Sequence, residues 1–322
     1  LFTELRNKEP APLYLQTDTH WRPNSMEAAA EELAAFISRT IPLSDASETE
    51  TVFLRKEQEV SNRGDIDAML LLPEQLNPFA KETVTIHPVV RSDNTLWQPD
   101  SQAEVLLLGD SFSNIYSLAG MGWGAGAGFA EQLSYYLQRP VDVIAQNDAG
   151  AAATREILSR DLARGRDRLA NKKVVIWQFA ARELSSGDWK KIHMTLQEQP
   201  IERGDFYTPE TGESVEVRAL VAAISSSPLP GSVPYKDNII TLHLTDVRDI
   251  QSKKKYGQAL VYAWGMRDNV LTRMAGIRTN THIEIRLIDW SKVERQYSSY
   301  RRSTLDDEML ELELPVWGEL LQ

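Results

Sequence analysis

Three short stretches hold residue types suited to acyl chemistry. The first is Val105-Leu106-Leu107-Leu108-Gly109-Asp110-Ser111-Phe112-Ser113. Its apolar run reads as a buried strand that Gly109 ends. Ser111 then stands at a strand's carboxyl end, where open α/β sheets place their sites. Backbone N–H groups beyond Ser111 could face a developing oxyanion. The plain alternative is that Asp110 or Ser111 only caps the next helix. A serine nucleophile also needs a base and an orienting carboxylate. Among five histidines, His20 lies in Thr17-Asp18-Thr19-His20-Trp21. A carboxylate two residues before an imidazole can fix its tautomer and leave Nε2 for the serine. His87 and His243 sit in strand patterns and read as structural. His282 starts a strand, and His193 lies in a polar stretch. The third stretch, Val143 to Thr154, reads as a strand, an Asn/Gly turn and a helix. Gly150 there lets a backbone N–H come close to an oxyanion. An ordinary βα turn is the competing reading.

The elements that must position these residues follow from hydrophobic periodicity. Leu13-Tyr14-Leu15 is a short apolar run. Asn24 or Ser25 offers an N-cap for a helix from Met26 to Ile37. Strands are expected over Thr83–Val90, Glu104–Leu108, Val141–Ile144 and Lys173–Phe179, and helices over Phe129–Leu137 and Thr154–Leu169. Short apolar strands alternating with helices imply a mainly parallel sheet covered on its faces. After about residue 200 the pattern becomes β-rich. Ser214–Ser225, Asn238–Val247, Gln258–Met266 and Thr281–Trp290 read as strands divided by turn residues such as Arg267-Asp268-Asn269. The expected organisation is an α/β domain over 1–200 and a smaller β-rich domain, a sandwich or barrel, over 201–322.

Composition removes several functions. The 322 residues carry 35 basic and 46 acidic side chains, a formal charge of −11. Such a chain is a poor general nucleic-acid binder and is not drawn to an anionic membrane. Cysteine is absent, which excludes disulfides, thiolate metal sites and a Cys nucleophile. No apolar run reaches the roughly 18 residues of a membrane helix. The chain starts at Leu1, so a lacking leader says nothing about compartment. Gly120 to Gly128 is glycine-rich but follows no strand directly. It is expected to be a mobile loop beside the nucleophile rather than a dinucleotide fingerprint. No spacing suggests a metal site, and no cofactor is expected. The basic runs Arg164 to Arg168 and Lys253 to Lys255 read as solvated surface, with use by an anionic polysaccharide as the alternative.

Together the first three stretches resemble the SGNH (GDSL-type) hydrolase superfamily. Gly109-Asp110-Ser111 is similar to its nucleophile block, and Asn147 to Thr154 to its second block. Asp18-Thr19-His20-Trp21 preceding Gly-Asp-Ser-Phe-Ser is closer to one branch, the AlgJ/AlgX-type alginate O-acetyltransferases. There the Asp-x-His pair comes before the serine. Asn62-Arg63-Gly64-Asp65, Met69 to Leu72, and Trp177-Gln178-Phe179 leading to Arg182 and Glu183 also resemble that branch. The resemblance covers about residues 12–190. It implies an SGNH-like three-layer fold and a Ser111–His20–Asp18 triad. Ser111 and Gly150 backbone N–H groups are the implied oxyanion donors. The superfamily's third-block Asn is missing after Phe179, which leaves Asn147, Tyr116 or Arg182 open as a further donor. Tyr116, Trp21 and Arg182 are expected on the substrate side.

The expected reaction is acetyl transfer through acetyl-Ser111 to a hydroxyl of an alginate-like exopolysaccharide. An esterase using the same triad is the first alternative, and a non-catalytic polysaccharide-binding protein is the second. The resemblance further implies a periplasmic location and an acetyl donor supplied by a membrane-bound acyltransferase.

Overall fold

Five successive buried residues form strand β5 (Val105–Gly109), the middle of a three-stranded parallel sheet. The computed structural model describes Thr3 and residues 12–44, 52–70, 72–147, 150–187, 189, 191–197, 205–209, 214–233, 235–298, 300–307 and 310–321. The contact pattern divides the chain into two units, 1–155 with 168–190 and 156–167 with 191–322.

In the first unit, β5 pairs with β6 (Asp142–Ala145) on one side and β7 (Val174–Trp177) on the other. Leu107 lies opposite Val143 and Ile176. A strand with parallel neighbours on both sides is covered on both faces, which is why β5 shows no polar alternation. Helix α1 (Pro23–Thr40) and helix α4 (Phe129–Leu137) belong to the same core. Met26, Ala30, Ala34 and Ile37 form the buried stripe of α1, at the spacing that a 3.6-residue period demands. Burying Met26 or Ile37 contributes about 1.5–3 kcal/mol each. The helix begins at Pro23, before the expected caps Asn24 and Ser25, with Arg22 as a cap that makes no side-chain bond. Proline at the first helical position has no N–H to leave unsatisfied.

The expected strand over 83–90 is two strands. β3 (Glu82–Ile86) pairs with β2 (Gln58–Asn62), and β4 (Val89–Arg91) pairs with β1 (Phe53–Arg55), all antiparallel. Pro88 breaks the run, because it donates no ladder hydrogen bond. These ribbons do not join the parallel sheet. Short helices α2 (Asp65–Met69) and α3 (Ser111–Asn114) follow β2 and β5. The expected helix to Leu169 is α5 (Ala153–Ala163), which ends in a turn at Arg164-Gly165. Helix α6 (Glu183–Ser186) follows β7.

The second unit is a barrel-like sheet of long strands: β8 (Ser214–Ile224), β9 (Asn238–Asp249), β10 (Lys255–Arg267), β12 (His282–Asp289) and β14 (Pro315–Leu320). The pairing runs β10–β14–β12–β8–β9 and returns from β9 to β10. β12 alternates cleanly: Ile283, Ile285 and Leu287 are buried, while His282, Glu284 and Arg286 are exposed. That period of two is what a one-sided strand needs. β10 turns through Asp268 and Asn269, both at positive φ, into β11 (Val270–Leu271). Two left-handed residues give the turn whose twist suits a hairpin. Helix α7 (Glu294–Tyr297) precedes β13 (Arg302–Ser303), a short strand parallel to β9.

Candidate active site

The chain before α1 is a tight loop. Tyr14 and Trp21 form an isolated antiparallel bridge. The Leu15 N–H donates to the His20 carbonyl at 3.0 Å. Inside that loop Asp18 and His20 meet, both buried. The His20 Nδ1 lies 2.5 Å from Asp18 Oδ1, and the His20 backbone N–H donates to the same oxygen at 3.1 Å. The second oxygen, Oδ2, accepts from Trp123 Nε1–H at 2.8 Å and from the Asp65 backbone N–H at 3.1 Å. Burial works to raise the Asp18 pKa. The His20 ring's hydrogen bond and charge, Trp123 and the His20 N–H outweigh it, so Asp18 stays below the usual carboxylate range. Gly64 lies against this carboxylate with φ at 87° and ψ at −174°, a region that essentially only glycine occupies. His20 Nε2 is buried and makes no hydrogen bond among the described residues.

The segment bearing Ser111 is equally well tied. Gly109 is obligatory for close approach, since a Cβ there would lie 2.5 Å from Ser113 Oγ. Asp110 caps α3: its Oδ1 accepts the Phe112 N–H at 2.9 Å, and its Oδ2 accepts the Ala180 N–H at 3.1 Å. Burial pushes the Asp110 carboxyl up. Gln178 Oε1 accepts both the Asp110 N–H at 3.1 Å and the Ser113 hydroxyl at 2.7 Å. So β7 holds the turn that β5 makes. Ser111, 5% exposed, is the first residue of α3. With Phe112 and Ser113 N–H groups taken by Asp110, the Ser111 N–H has no acceptor among the described residues.

Phe112 joins the two segments. Its ring centroid lies 4.8 Å from that of His20, and its carbonyl accepts from Trp21 Nε1–H at 3.0 Å. The Tyr116 hydroxyl donates to the Trp21 carbonyl at 2.6 Å. Tyr116 is 0% exposed and Trp21 is packed on Phe112 and Phe129. Both side chains tie down the loop that bears His20. Arg182, by contrast, has a side chain 59% exposed, 3.7 Å from Glu183 Oε1.

Beyond β6, the Asn147 amide is engaged inside the protein. It accepts from Asn114 Nδ2 at 2.8 Å and lies 3.5 Å from Met121 Sδ. Asp148 and Ala149 lie outside the described residues, as does Leu71 of the Met69–Leu72 stretch. Gly150 is exposed with φ at 68°. The loop after it is clipped to β7 and α6: Ala151 donates to Glu183 Oε2 at 3.1 Å, and Trp177 Nε1–H donates to the Ala151 carbonyl at 3.1 Å.

Sequence reading missed Trp123, Asp65, Gln178 and Glu183. Trp123 was hidden in the glycine-rich run, where it is a fully buried anchor. Asp65 and Gln178 lay inside motifs quoted for resemblance, but nothing local marked their partners. Asp18, His20 and Asp65 hold ligand atoms within 4.8 Å of one another. Two ligands on one tetrahedral cation stand about 3.3 Å apart. The 2.5 Å between Asp18 and His20 therefore fits a shared proton rather than a shared cation.

Residues 1–181 match the model of the family described as SGNH hydrolase-like domain, acetyltransferase AlgX. The chain is 33% identical over 107 residues to the probable alginate O-acetylase AlgJ of Pseudomonas fluorescens. That match covers 31% of this chain and 26% of the relative, so the chain spans about a quarter of that protein. Among solved structures, the O-acetyltransferase domain of Pseudomonas putida AlgJ is similar at 25% identity and a TM-score of 0.42, covering 56% of this chain and 57% of that one. Pseudomonas aeruginosa AlgX is similar at 15% identity and a TM-score of 0.42, covering 87% and 65%. With more than half of its length inside the family model, the chain belongs to the SGNH hydrolase-like acetyltransferase family of AlgX.

Proposed function

We propose that the protein is a serine-dependent O-acetyltransferase acting on an alginate-like exopolysaccharide. One observation carries the reading. A buried His20 is fixed at Nδ1 by Asp18, its Nε2 makes no hydrogen bond among the described residues, and Phe112 ties it to the segment bearing Ser111. His20 Nε2 takes the Ser111 proton as Oγ attacks the acetyl carbonyl. The donor ester C–O bond breaks, and His20 returns that proton to the leaving oxygen. A sugar hydroxyl then loses its proton to His20 and attacks acetyl-Ser111. The Ser111 oxygen leaves and recovers the proton, so no proton is gained or lost over the cycle. Asp18 stays ionised and stabilises the imidazolium. The Ser111 and Gly150 N–H groups stabilise the oxyanion, with Asn147 shaping the loop between them. General base assistance is worth roughly 10²–10⁴-fold, and each oxyanion donor about 10²–10³-fold.

In this reading residues 1–200 perform the transfer, and the β-rich region 201–322 binds polymer or a partner. A membrane-bound acyltransferase would supply the acetyl group in the periplasm. No helix among the described residues is long and apolar enough to cross a membrane. The test pairs the protein with Ser111→Ala on a chromogenic acetyl ester, with and without alginate oligosaccharides, and follows acetyl by mass spectrometry. Ser111-dependent acetyl gain by the sugar supports transfer. Ester cleavage with no sugar gain makes the protein an esterase. Equal turnover by Ser111→Ala removes the serine mechanism.

A further inference from the structure

We infer that Asp65 is a positioning residue for His20, a second carboxylate that braces the Asp18–His20 pair and stabilises the imidazolium; this rests on the serine mechanism above. Asp65 Oδ2 lies 3.8 Å from His20 Nδ1, on the nitrogen that already meets Asp18. His20 is the sole basic group within ion-pair distance of Asp65 among the described residues. Its carboxylate is not free to turn away. The Thr19 N–H donates to Oδ1 at 2.8 Å, and the Thr19 hydroxyl donates to Oδ2 at 2.5 Å. Thr19 is the residue between Asp18 and His20, so the clamp sits on the pair itself. Asp65 also reaches Asp18 directly, since its backbone N–H donates to Asp18 Oδ2.

The division of labour follows from how each carboxylate is engaged. Asp18 accepts four donors in a buried setting, which disperses its charge. Asp65, with a side chain 25% exposed, is held by two donors from a single residue. A fixed anion 3.8 Å from the ring favours the charged form that exists while His20 carries the serine proton. It is set before reaction begins, so no reorganisation is needed at that moment. Because the attraction grows when the ring becomes charged, its loss falls on kcat rather than on KM.

The experiment measures acetyl-ester turnover for Asp65→Asn, Asp65→Glu, His20→Ala and the double variant Asp65→Asn/His20→Ala. Asparagine keeps the side-chain size, an acceptor for Thr19 and the backbone N–H to Asp18, so it removes charge and little else. The expected result is a kcat about 10- to 30-fold lower, with KM within about twofold. Asp65→Glu recovers part of the loss. In the His20→Ala background, Asp65→Asn changes nothing further, because its route of action is gone. Thermal melting of Asp65→Asn checks that the fold is kept, and Asp65→Glu serves if it is not. Parent-like turnover by Asp65→Asn with an inactive His20→Ala overturns the inference alone. An equal loss in both backgrounds also overturns it. Parent-like turnover by His20→Ala overturns the serine mechanism and this inference together.

Discussion

If the proposed mechanism holds, replacing Gly64 by alanine should sharply lower acetyl-ester turnover without removing Ser111, His20 or Asp18. The added Cβ would lie 2.5 Å from Asp18 Cβ, 2.6 Å from Asp18 Oδ2 and 2.7 Å from the Thr17 carbonyl. Carbon atoms in contact sit about 3.5–4.0 Å apart, so relief requires roughly 1 Å of movement. Asp18 must yield, and with it the imidazole whose Nδ1 it holds. A misplacement of about 1 Å in a catalytic constellation can cost about 10²-fold. The backbone at φ 87° and ψ −174° adds strain of about 1–3 kcal/mol for any side chain. Expected, then, are a kcat about 10²-fold lower on a chromogenic acetyl ester and a melting temperature lower by about 2–10 °C. Gly276→Ala is the control, because no atom lies within 4 Å of its added Cβ; it should match the parent. A Gly64→Ala protein with parental kcat and melting would refute the argument that Asp18 is held where the chemistry needs it.

Three further outcomes follow from the geometry. Trp123→Phe removes one of the donors to buried Asp18 Oδ2; such a bond is worth about 1.5–3 kcal/mol, and steady-state kinetics should show kcat lower by about tenfold. Glu131 is buried in the core, and burial pushes its carboxyl up. The folded state thus holds the proton more tightly than the unfolded chain, and stability is lost as pH rises through the raised value. Glu131→Gln should match the parent at low pH, where both states hold the proton, and exceed it at high pH, read from urea unfolding at both pH values. Gly150→Ala, at φ 68° with a Cβ 3.2 Å from Glu183 Oε2, should lower kcat by about tenfold while leaving KM nearly unchanged.

The residues of the candidate site were legible because each motif is local. Asp18 and His20 are two residues apart, and Gly109-Asp110-Ser111 ends a strand whose apolar run has no other reading. The β-rich strands were legible from alternation, as in Ile283, Ile285 and Leu287. What escaped was whatever depends on distant partners. Trp123 joins Asp18 across the whole segment bearing Ser111, and its glycine-rich surroundings suggested mobility where the structure places a buried ring. Gln178 accepts from two residues of another strand's turn. The expected strand over 83–90 failed at Pro88, and its halves joined antiparallel ribbons that periodicity cannot assign. The basic run Arg164–Arg168, read as solvated surface, is tied down instead. Arg164 donates to the Leu312 and Glu311 carbonyls, and Arg168 pairs with buried Asp142 at 2.6 Å.

The closed ring of strands in the second unit sets an order on biosynthesis. β14 is parallel to β10 and antiparallel to β12, and it is the piece that joins them. Until residues 315–320 have left the ribosome, both neighbours carry an unpaired edge, the feature most prone to pairing with other chains. Leu260 meets Pro315 and Tyr262 meets Trp317, contacts that must wait for a long intervening segment to be made. The sheet of β5, β6 and β7, in contrast, is complete once Trp177 has emerged. A nascent chain stalled before residue 315 would thus present a finished parallel sheet alongside an open, aggregation-prone one.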